Sequence, residues 1–302
     1  MEKLYRKSSL LLIAGLLTFS VTSFAQHDGA KHSSGTQTLK SKKLNALNFI
    51  KVTGGLGMST YYGDICEGWD CYEFRHSLAL GAYYRYNSRF CFKIDAFWTR
   101  LANSDKIYKA ERNLGFRTDI FELAASAMYD IFPFQHKFEQ RRTIEPYVHA
   151  GIGLAYFNPM GQLDGKWYNL HQYQTEGKNY SRFTPVIPFG VGLRTRLRHD
   201  MNISLEFTYR KTFTDYLDDV SGKNYKNPNS FVGGPTSTAA QLSDKTSDGN
   251  YYSEKVRGNP TRKDGYFTFN FRLEYMIEAF SDQSSKGNLN RVVTGKKTIK
   301  RR

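Results

Sequence analysis

The chain has 302 residues, a formal net charge of +15 at pH 7, and 40% hydrophobic residues. Beyond the amino-terminal leader no apolar stretch approaches the ~20 residues of a spanning helix, which excludes a helical membrane protein. The length suits one all-β domain, and export directed by the leader sets nucleic acid aside, leaving anionic lipid headgroups or acidic proteins as partners for the basic charge.

The leader is "MEKLYRKSSLLLIAGLLTFSVTSFAQ", in which Lys3, Arg6 and Lys7 precede a short apolar run that ends in small residues before Ala25. This predicts a secretory signal peptide over 1–25. Its three cations and one acid account for +2, so the mature chain carries +13. No Cys follows the expected cut, which argues against a lipid-anchored amino terminus and makes Gln26 the first mature residue. Residues 26–46 read as a periplasmic segment, 47–280 as a barrel, and 281–302 as a basic periplasmic tail.

From there the apolar residues alternate, the period of a strand. "NFIKVTGGLGMS" from Asn48 opens the series. "HSLALGAYYRYN" sets Leu78, Leu80, Ala82, Tyr84 and Tyr86 against Gly81, Tyr83 and Arg85. "RFCFKIDAFW" sets Phe90, Phe92, Ile94, Ala96 and Trp98 against Cys91, Lys93 and Asp95. "TDIFELAASAMYDIF", "EPYVHAGIGLAYF" and "TPVIPFGVGLRTRL" follow, less regularly. "MNISLEFTYRKTF" and "GYFTFNFRLEYMI" close the series, with Glu206, Arg210, Arg272 and Glu274 on their polar faces. Eight segments are the smallest complement of an outer-membrane barrel. The expected fold is therefore all-β, an eight-stranded antiparallel transmembrane β-barrel. Its apolar face meets lipid, and Lys51, Arg85, Lys93, Asp95, Glu122, Glu145, Arg194, Glu206, Arg210, Arg272 and Glu274 pair across a small lumen. Inward glycines such as Gly57, Gly151 and Gly192 fit where room is short. A secreted β-sandwich, with the phenylalanines as core, is the soluble alternative.

The connections alternate in length. "YNSR", "PFQHKFEQRR" and "RHD" are short periplasmic turns; the remaining loops are long and extracellular, the last running from Thr214 to Asp264. Tyr61, Tyr62, Tyr156, Tyr209, Tyr216 and Tyr266 are expected at outer strand ends as an interfacial girdle.

Candidate sites are few. Cys66 and Cys71, in "CEGWDC", suit a small disulfide ring in an exported chain, with two free surface thiols as the alternative. Cys91 is the odd cysteine, either an inert residue at the lumen mouth or a bridge to a periplasmic partner. Asp64, Asp215, Asp218 and Asp219 offer oxygen ligands of the kind calcium takes, though without EF-hand spacing; aspartates in turns commonly bond local amides instead. His149 reads as a structural lumen histidine, and no catalytic, metal or cofactor set is expected. Lys296, Lys297, Lys300, Arg301 and Arg302 in the tail form an electrostatic dock for an acidic periplasmic protein or inner-leaflet lipid, or else a solvated tail.

"GGLGMSTYYGDI" at 54–65, "RTDIFELAASAMYDIFPF" at 117–134, "PYVHAGIGLAYFNPMG" at 146–161 and "DYLDDVSGKNY" at 215–225 resemble the Bacteroidetes outer-membrane barrel family that contains PorG, in the family's order. The resemblance implies a non-enzymatic barrel of the type IX protein secretion system, set in the Gram-negative outer membrane and contacting the periplasmic ring of PorK and PorN. The alternatives are an OmpX-like surface adhesin acting through its loops and, more remotely, a lipid-modifying enzyme. No cofactor is implied.

Overall fold

The computed structural model describes residues 50–65, 71–105, 112–135, 140–246 and 256–277. Its strands are β1 (Ile50–Tyr62), β2 (Arg75–Arg85), β3 (Phe90–Ser104), β4 (Gly115–Asp130), β5 (Ile144–Leu163), β6 (Lys166–Asn169), β7 (Phe183–Arg196), β8 (Met201–Thr212) and β9 (Gly265–Ile277). Two short helices, α1 (Leu170–Tyr173) and α2 (Thr238–Ser243), lie in the loops. The segments 1–25, 26–46 and 281–302 lie outside the described residues.

The sheet closes. β1 pairs with β2 on one side and with β9 on the other, β4 pairs with β5, and all pairings are antiparallel. Eight strands form the barrel, while β6 folds back on the end of β5 beyond it. Closure leaves the barrel strands no unpaired edge, which is what hydrocarbon surroundings demand of β structure.

The two faces have opposite chemistry. Leu56, Leu80, Ile94, Leu123, Ile152, Leu154 and Leu193 point outward and are largely exposed, whereas their alternates Lys93, Asp95, Glu122, Glu206, Arg272 and Glu274 are buried inside. So broad an apolar exterior is foreign to a soluble monomer and is the ordinary wall of a membrane barrel. A sandwich would show the reverse, with the charged face outward. Among the described residues no helix is long and apolar enough to cross a membrane, a test that does not bear on strands.

Connections of four residues join β2 to β3 and β7 to β8, and the long β8–β9 connection lies at the opposite end. One expectation needs correction. The β3–β4 connection is shorter than the β4–β5 connection, because pairing continues to Ser104–Gly115 and converts much of that loop into strand. β3, β4 and β5 have 15, 16 and 20 residues, more than the ~9–11 needed to cross a bilayer. They therefore carry the barrel well past the membrane at its long-loop end.

The tyrosine girdle also needs correction. Tyr61 and Tyr266 point inward and are fully buried, and Tyr216 stacks on Tyr180 at 4.2 Å within the loops. Tyr62, Tyr156 and Tyr209 remain on the outward parity.

Candidate functional site

The inward residues sort into three tiers. At the short-turn end Glu274 accepts from Lys51 Nζ (3.1 Å), Arg194 Nε (3.1 Å) and Asn202 (3.2 Å). Arg194 also reaches Asp130 at 3.1 Å and Glu145 at 3.8 Å, and Arg85 holds Asp130 at 2.8 Å. In the middle Lys93 bridges Asp95 and Glu206, both at 2.9 Å. Arg272 forks onto Asp95 at 2.9 and 3.1 Å and reaches Glu206 at 3.2 Å. Tyr147 donates to Glu206 at 3.2 Å. Above them Arg210 and the Tyr266 hydroxyl hold Glu122 at 3.1 and 2.6 Å, and the Arg210 guanidinium lies 4.0 Å over the Phe97 ring.

Pairing is the only inexpensive way to keep such charges away from water, and each carboxylate here meets a cation. The eleven residues singled out in the sequence all lie in these tiers, joined by Asp130. Packing is close enough that a Cβ on Gly192 would collide with the Tyr147 ring. The void beside Lys51, Tyr83, Arg85, Cys91 and Arg194 is only about 10 Å³, room for one water at most. His149 is buried in this packing, its Nε2 3.2 Å from Thr208 Oγ1.

The long-loop half of the interior is different in kind. Tyr61, Phe97, Leu101, Phe116, Ile120, Phe157 and Val186 face inward and pack with the loop residues Ile65, Leu114, Leu217 and Val220. Leu217 is fully buried, and its carbonyl accepts from Thr118 Oγ1. Sequence reading missed this apolar core because the alternation inverts at these strand ends, with Arg100, Arg117, Asp119 and Asn158 on the outward parity and apolar residues inside. The usable signal was strand length beyond what a bilayer requires.

Polar contacts between distant loops tie the cap down. Tyr61 Oη lies 2.7 Å from both Asp218 and Asp264. Arg112 forks onto Asp105 at 2.6 Å and donates to the carbonyls of Asp64 and Arg257. Arg257 pairs with Glu176 and donates to the Asp219 carbonyl, while Tyr180 donates to Asp219 at 2.6 Å. Asp64, Asp215, Asp218 and Asp219 are therefore buried parts of the cap and not an exposed rim. Among the described residues no three acidic, His or Cys side chains converge on a metal position.

The cap carries a pH dependence. Burial raises the Asp215 carboxyl to about 6 and pushes Asp218, Asp219 and Asp264 upward as well. A carboxyl raised above its unfolded value of about 3.9 holds a proton that the unfolded loop releases. Its stabilising contribution is complete below about pH 4 and is lost as pH rises through 6. Proteolysis within 213–264 is expected to be faster at pH 7.5 than at pH 5, with Asp215→Asn reducing the difference. Equal wild-type rates at the two pH values would disprove this assignment.

The cysteines differ in environment. Cys71 is disulfide-bonded, and Cys66 lies outside the described residues. Cys91 is a free thiol, 4% exposed, packed among Tyr83, Met128 and Tyr147. That burial suits the inert reading better than an intermolecular bridge, which needs an accessible sulfur. A maleimide is expected to label Cys91 only after heat unfolding; rapid labelling of the folded barrel would favour the bridge. Lys296, Lys297, Lys300, Arg301 and Arg302 lie outside the described residues.

The charged interior inside an apolar wall defines the class: an eight-stranded β-barrel of the outer-membrane type. The chain belongs to the family described as "Domain of unknown function (DUF6089)", whose model matches residues 39–234. Similar solved structures include Neisserial surface protein A, at 14% identity, 75% coverage of this chain and 96% of that one, TM-score 0.38. OprG from Pseudomonas aeruginosa is 11% identical, with 77% and 97% coverage and a TM-score of 0.36. The outer membrane enzyme PagL is 13% identical, with 75% and 99% coverage and a TM-score of 0.34. A comparison with curated proteins finds no match.

Proposed function

We propose that the protein is a non-enzymatic barrel of the Gram-negative outer membrane that anchors a periplasmic assembly, the PorK and PorN ring of the type IX secretion system. The observation that carries the anchoring role is the filled interior: paired charges occupy the lumen and an apolar core closes its long-loop end, so the working surfaces are external. The four motifs at 54–65, 117–134, 146–161 and 215–225 supply the link to this secretion system.

The short-turn end suits an acidic partner. Arg142 lies 4.0 Å over the Phe132 ring, Arg141 lies 4.4 Å over Phe134, and Arg89 lies 5.8 Å over Tyr129. Stacking on aromatic rings orders guanidinium groups and lowers the cost of presenting them to carboxylates.

A second reading, a surface-binding barrel, draws on the cap. Asn113, Gln162, Asp164, Gln241 and Lys245 line a polar cup of about 370 Å³ between loops, a size that suits a small ligand.

The test is a cross-linked pull-down of a tagged copy from detergent-solubilised outer membranes. Recovery of ring proteins, reduced by Arg141→Glu with Arg142→Glu, supports the anchor. Recovery of the barrel alone, under conditions that preserve a ring, rejects it and favours the loop-acting reading.

A further inference from the structure

On the barrel exterior, at the long-loop end of β7, β8 and β9, lies a groove of about 450 Å³ lined by Tyr62, Phe189, Gly190, Val191, Phe207, Tyr209 and Phe267. Its walls are fixed by rings that hold one another. Phe207 stacks on Phe267 with centroids 5.7 Å apart, Tyr209 meets Phe267 at 4.8 Å, and Phe189 meets Tyr209 edge-on at 5.4 Å. Gly265 makes the arrangement possible: the Tyr209 ring lies against it, and a Cβ there would run into that ring. The groove is thus a shaped depression in an apolar wall, its sides set by interlocked rings.

Its mouth is basic. Arg262 places its guanidinium 4.5 Å over the Tyr62 ring. Lys211 is the next outward residue after Tyr209 on β8, it pairs with Gly265 across the sheet, and it is exposed. The acids nearest in sequence are turned away, with Asp264 and Asp215 each 1% exposed. An apolar slot at membrane depth, opening under two cations at the membrane edge, has the polarity of one kind of molecule: a lipid with an acyl chain and a phosphate headgroup.

We propose that this groove binds one anionic phosphate-bearing lipid, its chain against Phe207, Val191 and Phe267 and its phosphate on Arg262 and Lys211. The proposal rests on the outer-membrane reading of the preceding section. A zwitterionic lipid offers the same phosphate, but its own headgroup cation offsets that charge and is repelled by Arg262 and Lys211, so a net anionic headgroup is favoured.

The barrel is to be refolded into nanodiscs of phosphatidylcholine with a minor fraction of phosphatidylglycerol of identical chains, then extracted and weighed by native mass spectrometry. Retention of one phosphatidylglycerol in preference to phosphatidylcholine is expected. Arg262→Glu with Lys211→Glu should lower that preference on the order of tenfold, as expected for two basic groups at an anionic surface. Val191→Trp, which fills the slot from an outward position, should abolish retention of either lipid. Heat-dependent electrophoretic mobility checks that each variant is folded. Equal retention of the two lipids by the wild type overturns the proposal, as does selective retention unaltered by both sets of substitutions. Failure of the folded wild type to insert into any bilayer removes the membrane reading itself, an outcome distinct from insertion without selective retention.

Discussion

Arg272→Met is expected to destabilise the barrel by about 3–5 kcal/mol, the cost typical of removing one partner from a buried ion pair. Arg272 is fully buried, forks onto Asp95 and touches Glu206. Without it, Lys93 alone faces two carboxylates in a space that water does not fill. Methionine roughly preserves the volume, so the loss measured is electrostatic and not a cavity effect. The companion variant Arg272→Met with Asp95→Leu leaves Lys93 and Glu206 as a balanced pair and should recover most of the stability. A contrast lies at the surface: Arg75 and Glu73 meet at 3.1 Å with side chains more than 40% exposed, and breaking that pair should cost under about 1 kcal/mol. Urea unfolding in detergent, followed by heat-dependent mobility, measures all three. Similar small losses for the buried and surface variants would mean that the lumen is wet and the tiers are not sealed.

Ile152→Arg should cost about 2–4 kcal/mol in a bilayer, the penalty for a cation on the lipid face near mid-depth of a membrane barrel. Ile152 is 72% exposed on the outward face of β5, opposite Ala125 of β4. The same replacement at Phe213, outward and beyond the last residue of β8, should cost no more than about 1 kcal/mol because the side chain reaches the interface. Position dependence is the informative quantity. If Ile152→Arg were neutral while the barrel remained folded in vesicles, the apolar exterior would not be facing hydrocarbon.

Much of this architecture was legible in the sequence because a strand's two faces are written into neighbouring residues. The pattern of "GYFTFNFRLEYMI" alone separates Phe269, Phe271 and Leu273 outside from Asn270, Arg272 and Glu274 inside, and β9 occupies those same bounds. What parity cannot reveal is which cation meets which acid. Lys93 and Glu206, or Arg210 and Glu122, are brought together by closure and stagger, which depend on the whole sheet. The cap was illegible for a related reason. Tyr61, Asp218 and Asp264 meet across three distant segments, and nothing local to any of them marks the meeting. Tyr266 was misplaced because its aromatic character suggested an interface, while its position in the alternation, between Gly265 and Phe267, already turned it inward.

The tiered interior also determines where the molecule's electric field originates. Its six cations, Lys51, Arg85, Lys93, Arg194, Arg210 and Arg272, are matched by six acids, Asp95, Glu122, Asp130, Glu145, Glu206 and Glu274. The interior is electrically silent at a distance, and the excess positive charge of the chain must reside on its rims, loops and termini. Added salt, which shortens the Debye length to about 8 Å at physiological strength, should therefore leave the integrity of the barrel largely untouched while slowing the capture of any acidic partner.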